Sequence, residues 1–114
     1  MKKIKILVVE DESIVAKDIQ NSLKHLGYDV PQTTSNGHEA FKKAKEEKPD
    51  LILMDLSLPD IDGMEVTRLL RKKQQYQQIP IIALTAHAMG GIQETTQEAG
   101  LNDFLSKPFL PRLN

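Results

Sequence analysis

The chain contains no cysteine. Disulfides, thiolate nucleophiles and thiolate metal sites are therefore excluded, and the chain is compatible with a reducing compartment. There is no basic surplus either: 15 Lys and Arg stand against 16 Asp and Glu, for a formal charge of -1. Nonspecific binding of nucleic acid, which needs a cationic face, is not expected. The apolar runs are too short to span a bilayer, so no membrane partner is expected. The basic start Met1-Lys2-Lys3 does not open a signal peptide, because Val9 is followed at once by Glu10-Asp11-Glu12. Linkers, low-complexity tracts and repeats beyond an alternation of strand and helix patterns are missing too. The 114 residues, 39% of them apolar, are read as one cytoplasmic domain spanning residues 1–114 with one modest core.

What is present is a regular alternation of short apolar runs and amphipathic stretches. Residues 4–9 predict a strand buried on both faces, and residues 13–26 a helix whose stripe is Ile14, Val15, Ile19, Leu23 and Leu26. Gly27 fits a left-handed residue just past that helix. Residues 28–34 predict a weaker strand, placed at an edge by Pro31. Ser35 or Asn36 caps a second helix carrying Ala40, Phe41 and Ala44, which Lys48-Pro49-Asp50 ends. Leu51-Ile52-Leu53-Met54 is a third strand and residues 57–63 a loop. A third helix turns Met64, Val66, Leu69 and Leu70 inward and Arg68, Arg71, Lys72 and Lys73 outward. Residues 80–85 predict a fourth strand, 92–99 a weak polar helix stopped by Gly100, and 103–106 a short last strand. Such alternation argues for an α/β fold, a parallel sheet with helices on both faces.

Polar groups stand where the strands end. Glu10 and Asp11 follow Ile6-Leu7-Val8-Val9, Asp55 follows Leu51-Ile52-Leu53-Met54, Thr85 follows Ile81-Ile82-Ala83-Leu84, and Lys107 follows Phe104-Leu105-Ser106. In a parallel sheet these ends share one edge, the edge where open α/β folds place their chemistry. Crowded carboxylates repel unless a cation lies among them, and a set of oxygen donors with few protein ligands suits Mg2+. A hydroxyl and an ammonium beside them suit the oxygens of a transferred phosphoryl group, with Asp55 as the nucleophile. His25, His38 and His87 show no metal-ligand spacing and read as surface residues, His38 and His87 near the rim of the site.

These pieces together, VVEDE, LILMDLSLPDIDGME, IIALTAHA and DFLSKPF, resemble the receiver domain of two-component response regulators from about Lys5 to Pro108. The resemblance implies a chemotaxis-regulator-like, flavodoxin-like fold, doubly wound around a five-stranded parallel sheet in the order 2-1-3-4-5. It implies that Asp55 accepts a phosphoryl group from a histidine kinase, a phosphotransfer protein or a small phosphodonor. Asp11, Asp55 and the backbone carbonyl of Ser57 would bind Mg2+ directly, with Glu10 acting through water. Thr85 and Lys107 would hold the phosphoryl oxygens, and Thr85 and Phe104 would form the switch. Ser57 and His87 match positions that tune dephosphorylation, Ala86 would leave the site open to a donor, and the Lys107-Pro108 peptide is expected to be cis.

One departure concerns the end of the chain. The family continues with a helix after Lys-Pro-Phe, whereas Phe109-Leu110-Pro111-Arg112-Leu113-Asn114 does not favour one, so the C-terminal helix is expected to be absent or truncated. Apolar residues of the first, third and fourth strands would then lie open beside the first helix, a surface for self-association. The leading function is an interaction module whose only chemistry is its own phosphorylation and dephosphorylation, with no output domain. Two alternatives stand beside it. One is a truncated or engineered receiver scaffold without signalling output. The other is a Mg2+-dependent phosphatase with an aspartyl nucleophile, although Ser57 stands where haloacid dehalogenase-like enzymes carry a second Asp.

Overall fold

Runs of Ile, Leu and Val become strands, and the stretches with helical spacing become helices. In the computed structural model, which describes residues 3–85 and 97–106, the order is β1 (Ile6–Val9), α1 (Ser13–His25), β2 (Thr33–Thr34), α2 (Gly37–Glu47), β3 (Leu51–Asp55), α3 (Gly63–Arg71), a 3-10 turn (Gln74–Tyr76), β4 (Ile81–Thr85) and β5 (Asp103–Ser106). The five strands form one sheet in the order β2-β1-β3-β4-β5, and each pairing is parallel. This is the flavodoxin-like order, with β2 at the edge that Pro31 foretold. The strand expected over residues 28–34 is interrupted. Asp29 bridges to Lys5 and pairing resumes only at Thr33, because Pro31 has no N–H to offer the ladder between them.

Side-chain alternation splits the core into two layers. Leu7, Val9, Ile52, Met54, Ile81 and Ala83 face one way, onto Ala40 and Ala44 of α2 and Val66 and Leu70 of α3. Ile6, Val8, Leu53 and Leu84 face the other way, onto Ile19 and Leu23 of α1 and Val30. On that second face, Ile4, Ile6, Leu26, Tyr28, Leu53 and Leu105 line part of an apolar groove of about 290 Å³.

The helix ends follow local chemistry. After α1, Gly27 adopts φ 101°, its N–H donates to the Lys24 carbonyl and the Tyr28 N–H to the Leu23 carbonyl, a Schellman closure. Asn36, not Ser35, caps α2, accepting the Glu39 N–H at 2.9 Å. Three side chains depart from the expected stripes, and one of them is Leu26, which stands at the C-cap of α1 and is 50% exposed. Ile14 is 77% exposed, because the buried line of α1 runs through Ala16, Ile19 and Leu23, about 100° per residue away from it. Arg71 does not point to solvent. Its guanidinium donates to the carbonyls of Tyr76, Ile79 and Gly100 and to Asn102 Oδ1, at 2.6 to 2.9 Å. Of the weak helix expected over 92–99, residues 97–99 fall within the described part and are helical, and Gly100 follows with φ 100°. The expectation of an absent last helix falls on residues outside the described part. No helix among the described residues is long and apolar enough to cross a membrane.

Candidate functional site

The parallel register carries the strand-end residues to one edge. Val9 pairs with Met54, Asp55 with Leu84, and Thr85 with Ser106, so Glu10, Asp55 and Thr85 sit on three neighbouring strands at the carboxyl end of the sheet. Asp55 is the last residue of β3 rather than the first of a loop, and β4 beside it fixes its backbone. Glu10, Asp11 and Asp55 each offer a carboxylate oxygen, and these oxygens lie within 4.8 Å of one another. Glu10 and Asp55 are buried to 1% exposure and Thr85 to 7%, while Asp11 is exposed. One side of the cluster is therefore walled by the fold and the other meets water.

Backbone donors orient two of the carboxylates. The Ser57 N–H donates to Asp55 Oδ1 at 3.1 Å, and the Glu12 N–H donates to Glu10 Oε2 at 3.1 Å. The Glu10 N–H is itself tied to the Thr34 carbonyl at 2.9 Å, which joins the start of the first β–α loop to β2. Three carboxylates this close repel one another in a partly buried site, and a hard divalent cation with oxygen ligands resolves that repulsion. The donor set fits Mg2+, which keeps several waters and takes few protein ligands.

The loop from β3 to α3 closes on itself beneath the cluster. Gly63 donates its N–H to the Leu56 carbonyl at 3.3 Å, and a Cβ on Gly63 would stand 2.1 Å from the Asp55 carbonyl oxygen. Only glycine permits that approach. Thr67 Oγ1 then donates to the Gly63 carbonyl at 2.9 Å, and Asp62 caps α3 by accepting the Met64 N–H at 2.8 Å. Phe104 pairs with Ala83 on the neighbouring strand and packs, partly buried, against the core of the α2 and α3 face. Lys107, His87, Ala86 and the Lys107-Pro108 peptide lie outside the described residues.

Asp60 has a place that sequence spacing did not signal. Its carboxylate accepts the N–H groups of Gly37 at 2.8 Å, His38 at 3.0 Å and Ile61 at 2.9 Å, and it also meets His38 Nδ1. Burial raises the pKa of Asp60, but those N–H donors and the His38 ring outweigh it and hold the carboxyl well below its usual range. Asp60 and the first turn of α2 are more than twenty residues apart, so no local pattern links them.

The response regulator receiver domain family matches residues 6–113. The alkaline phosphatase synthesis transcriptional regulatory protein PhoP of Bacillus subtilis is 47% identical over 108 residues, covering 95% of this chain. This chain spans only 44% of that relative's length. The polar-differentiation response regulator DivK of Brucella anthropi is 40% identical over 108 residues, covering 94% of this chain and 87% of the relative. Among solved structures, the chemotaxis response regulator CheY4 of Vibrio cholerae superposes with a TM-score of 0.91 at 30% identity, over 96% of this chain and 91% of that one. The receiver domain of the sensor histidine kinase PA1611 of Pseudomonas aeruginosa, with a magnesium ion coordinated in its active-site cleft, superposes with a TM-score of 0.84 at 41% identity, over 95% of this chain and 88% of that one. With the sheet order, the acidic edge and these relatives in agreement, the chain belongs to the response regulator receiver domain family and is a phospho-accepting signalling switch of the two-component kind.

Proposed function

We propose that Asp55 is the residue that takes the phosphoryl group, supplied by a histidine kinase, a phosphotransfer protein or a small acyl phosphate. The observation that carries this is the clustering of Glu10, Asp11 and Asp55 oxygens within 4.8 Å at the carboxyl edge of the sheet. An oxygen of Asp55 attacks phosphorus, the bond from phosphorus to the donor nitrogen or oxygen breaks, and the donor leaves with the electron pair. Asp11, Asp55 and the Ser57 carbonyl would hold Mg2+, with Glu10 acting through water. When bound, the ion supplies positive charge against the anionic phosphoryl group. The Ser57 N–H steers Asp55 by holding its Oδ1 at 3.1 Å. Thr85, at the end of the adjacent strand, would hydrogen-bond a phosphoryl oxygen, and Lys107 would neutralise one. Inward movement of Thr85 and Phe104 would then shift the equilibrium between two surface shapes.

Ser57 and His87 would set the lifetime of the phosphorylated form. The chain acts in the cytoplasm as a module whose only chemistry is its own phosphorylation and dephosphorylation. Acetyl phosphate with Mg2+ should add one phosphoryl mass, lost in Asp55→Ala. Steady turnover of external phosphoesters would instead indicate a phosphatase, and an inert chain a scaffold. The apolar groove beside α1 favours a second element of the proposal, self-association through that face. Light scattering behind size exclusion should show a concentration-dependent dimer, and a monomer throughout would refute it.

A further inference from the structure

The first turn of α2 has three N–H groups without helical partners, those of Gly37, His38 and Glu39, and the fold accounts for each of them. The helical ladder begins with the Ala40 N–H on the Asn36 carbonyl at 3.2 Å, and the Asn36 side chain takes the Glu39 N–H at 2.9 Å. The other two, from Gly37 and His38, go to the Asp60 carboxylate, which comes from the loop after β3. A carboxylate at a helix N-terminus with two backbone donors is favoured by charge and by hydrogen bonding together. The neighbouring side chain presses the same contact. A Cβ on Gly37 would lie 2.0 Å from Ile61 Cγ2 and 2.8 Å from Val66 Cγ2, so the loop tip seats on bare helix backbone. The contact of His38 Nδ1 with Asp60 Oδ2 closes it from the solvent side.

This contact spans the same short loop that carries Ser57. Its near end is fixed by the Leu56 N–H on the Leu84 carbonyl at 3.1 Å, and its far end by Gly63 against the Asp55 backbone. Between those ends, the Asp60 carboxylate ties the tip to α2 by hydrogen bonds, while Ile61 packs against the same Gly37 backbone. Building on the reading of Asp55 as phosphoryl acceptor, we propose that Asp60 is a positioning residue for the site. Seated on the first turn of α2, its carboxylate sets the path of residues 56–62 and so aims the Ser57 carbonyl and N–H at the acidic cluster. Asp60 acts through Ser57 and touches neither cation nor phosphoryl group.

The test compares Asp60→Ala, Asp60→Asn and Asn36→Ala with the parent chain, measuring Mg2+ affinity by calorimetry, acetyl phosphate labelling of Asp55 against Mg2+ concentration, and Tm. Asn36→Ala weakens the same helix end without touching the loop, so it controls for loss of stability. Asp60→Ala should raise the half-saturating Mg2+ concentration on the order of tenfold, with labelling at saturating Mg2+ much less affected. Asp60→Asn, which keeps one acceptor oxygen, should recover part of that loss. Asn36→Ala should lower Tm and leave the Mg2+ requirement within about twofold. Equal Mg2+ requirements in Asp60→Ala and Asn36→Ala would overturn the positioning role, and if Asp60→Ala does not fold, Asp60→Asn matching the parent would do so. A parent chain that neither binds Mg2+ nor labels on Asp55 would overturn the functional reading and this proposal with it.

Discussion

Asp60 carries a pH signature of its own. Its folded pKa is depressed: burial opposes the ionised form, but the N–H donors of Gly37, His38 and Ile61 and the His38 ring outweigh it. The unfolded chain therefore binds this proton first as pH falls, and the contribution to stability is present above the ordinary carboxylate pKa of about 4 and lost on acidification. The Tm gap between the parent and Asp60→Asn should shrink as pH goes from about 6 to about 2, which a thermal melt series will show. Two glycines make a second residue-scale test. Gly27 needs its conformation, φ 101°, but has open space where a Cβ would go, so Gly27→Ala should cost about 1–2 kcal/mol. Gly63 needs its space, because a Cβ would meet the Asp55 carbonyl oxygen at 2.1 Å. Gly63→Ala should cost about 3 kcal/mol in urea unfolding and slow acetyl phosphate labelling, since the displaced backbone is that of Asp55 itself. The conformational need of Gly27 is legible in the sequence, which places it as the left-handed residue past the first helix, whereas Gly63 reads only as part of the loop 57–63 and its need for space comes from packing.

At the scale of elements, helix ends and strand edges were legible because their causes are local. Gly27 closes α1, Asn36 caps α2, and Pro31 interrupts β2 through chemistry within a few residues of each. Arg71 was misread for the opposite reason. It begins the basic run Arg71-Lys72-Lys73, which looks solvated, yet its partners come from the 3-10 turn, the segment entering β4 and the segment entering β5. Asn102 completes the joint by accepting the Ile81 N–H at 2.8 Å while it also accepts from Arg71. Arg71→Ala should cost about 3 kcal/mol in urea unfolding. Arg71→Lys should recover little, because a single ammonium cannot reproduce the planar fork that reaches four acceptors.

At the scale of the whole molecule, the sheet stores electrostatic repulsion at one edge. Two core layers hold the strands in register, and that register brings Glu10, Asp11 and Asp55 together. Free Mg2+ at roughly 100 times its Kd should raise Tm by roughly 10 °C, and chelation should reverse the gain, as differential scanning calorimetry will report. Asp11→Asn removes one of the like charges and a proposed ligand. It should stabilise the Mg2+-free chain slightly and flatten the Mg2+ response.

The chain by itself determined its strands, its helices, their order and the residues that stand at the strand ends. Those properties follow from apolar periodicity and from the conformational limits of Gly, Pro and Asn, which act over a few residues. The parallel α/β fold followed in turn, because the alternation of short strands and helices leaves few other topologies. Only the tertiary structure decided which side chains serve as joints between elements. Asp60 on the first turn of α2, Ile61 against bare Gly37, and Arg71 on three carbonyls are contacts between segments distant in sequence. Such contacts form when packing brings an unsatisfied backbone donor or acceptor within reach of a charged side chain, and no spacing along the chain encodes that meeting.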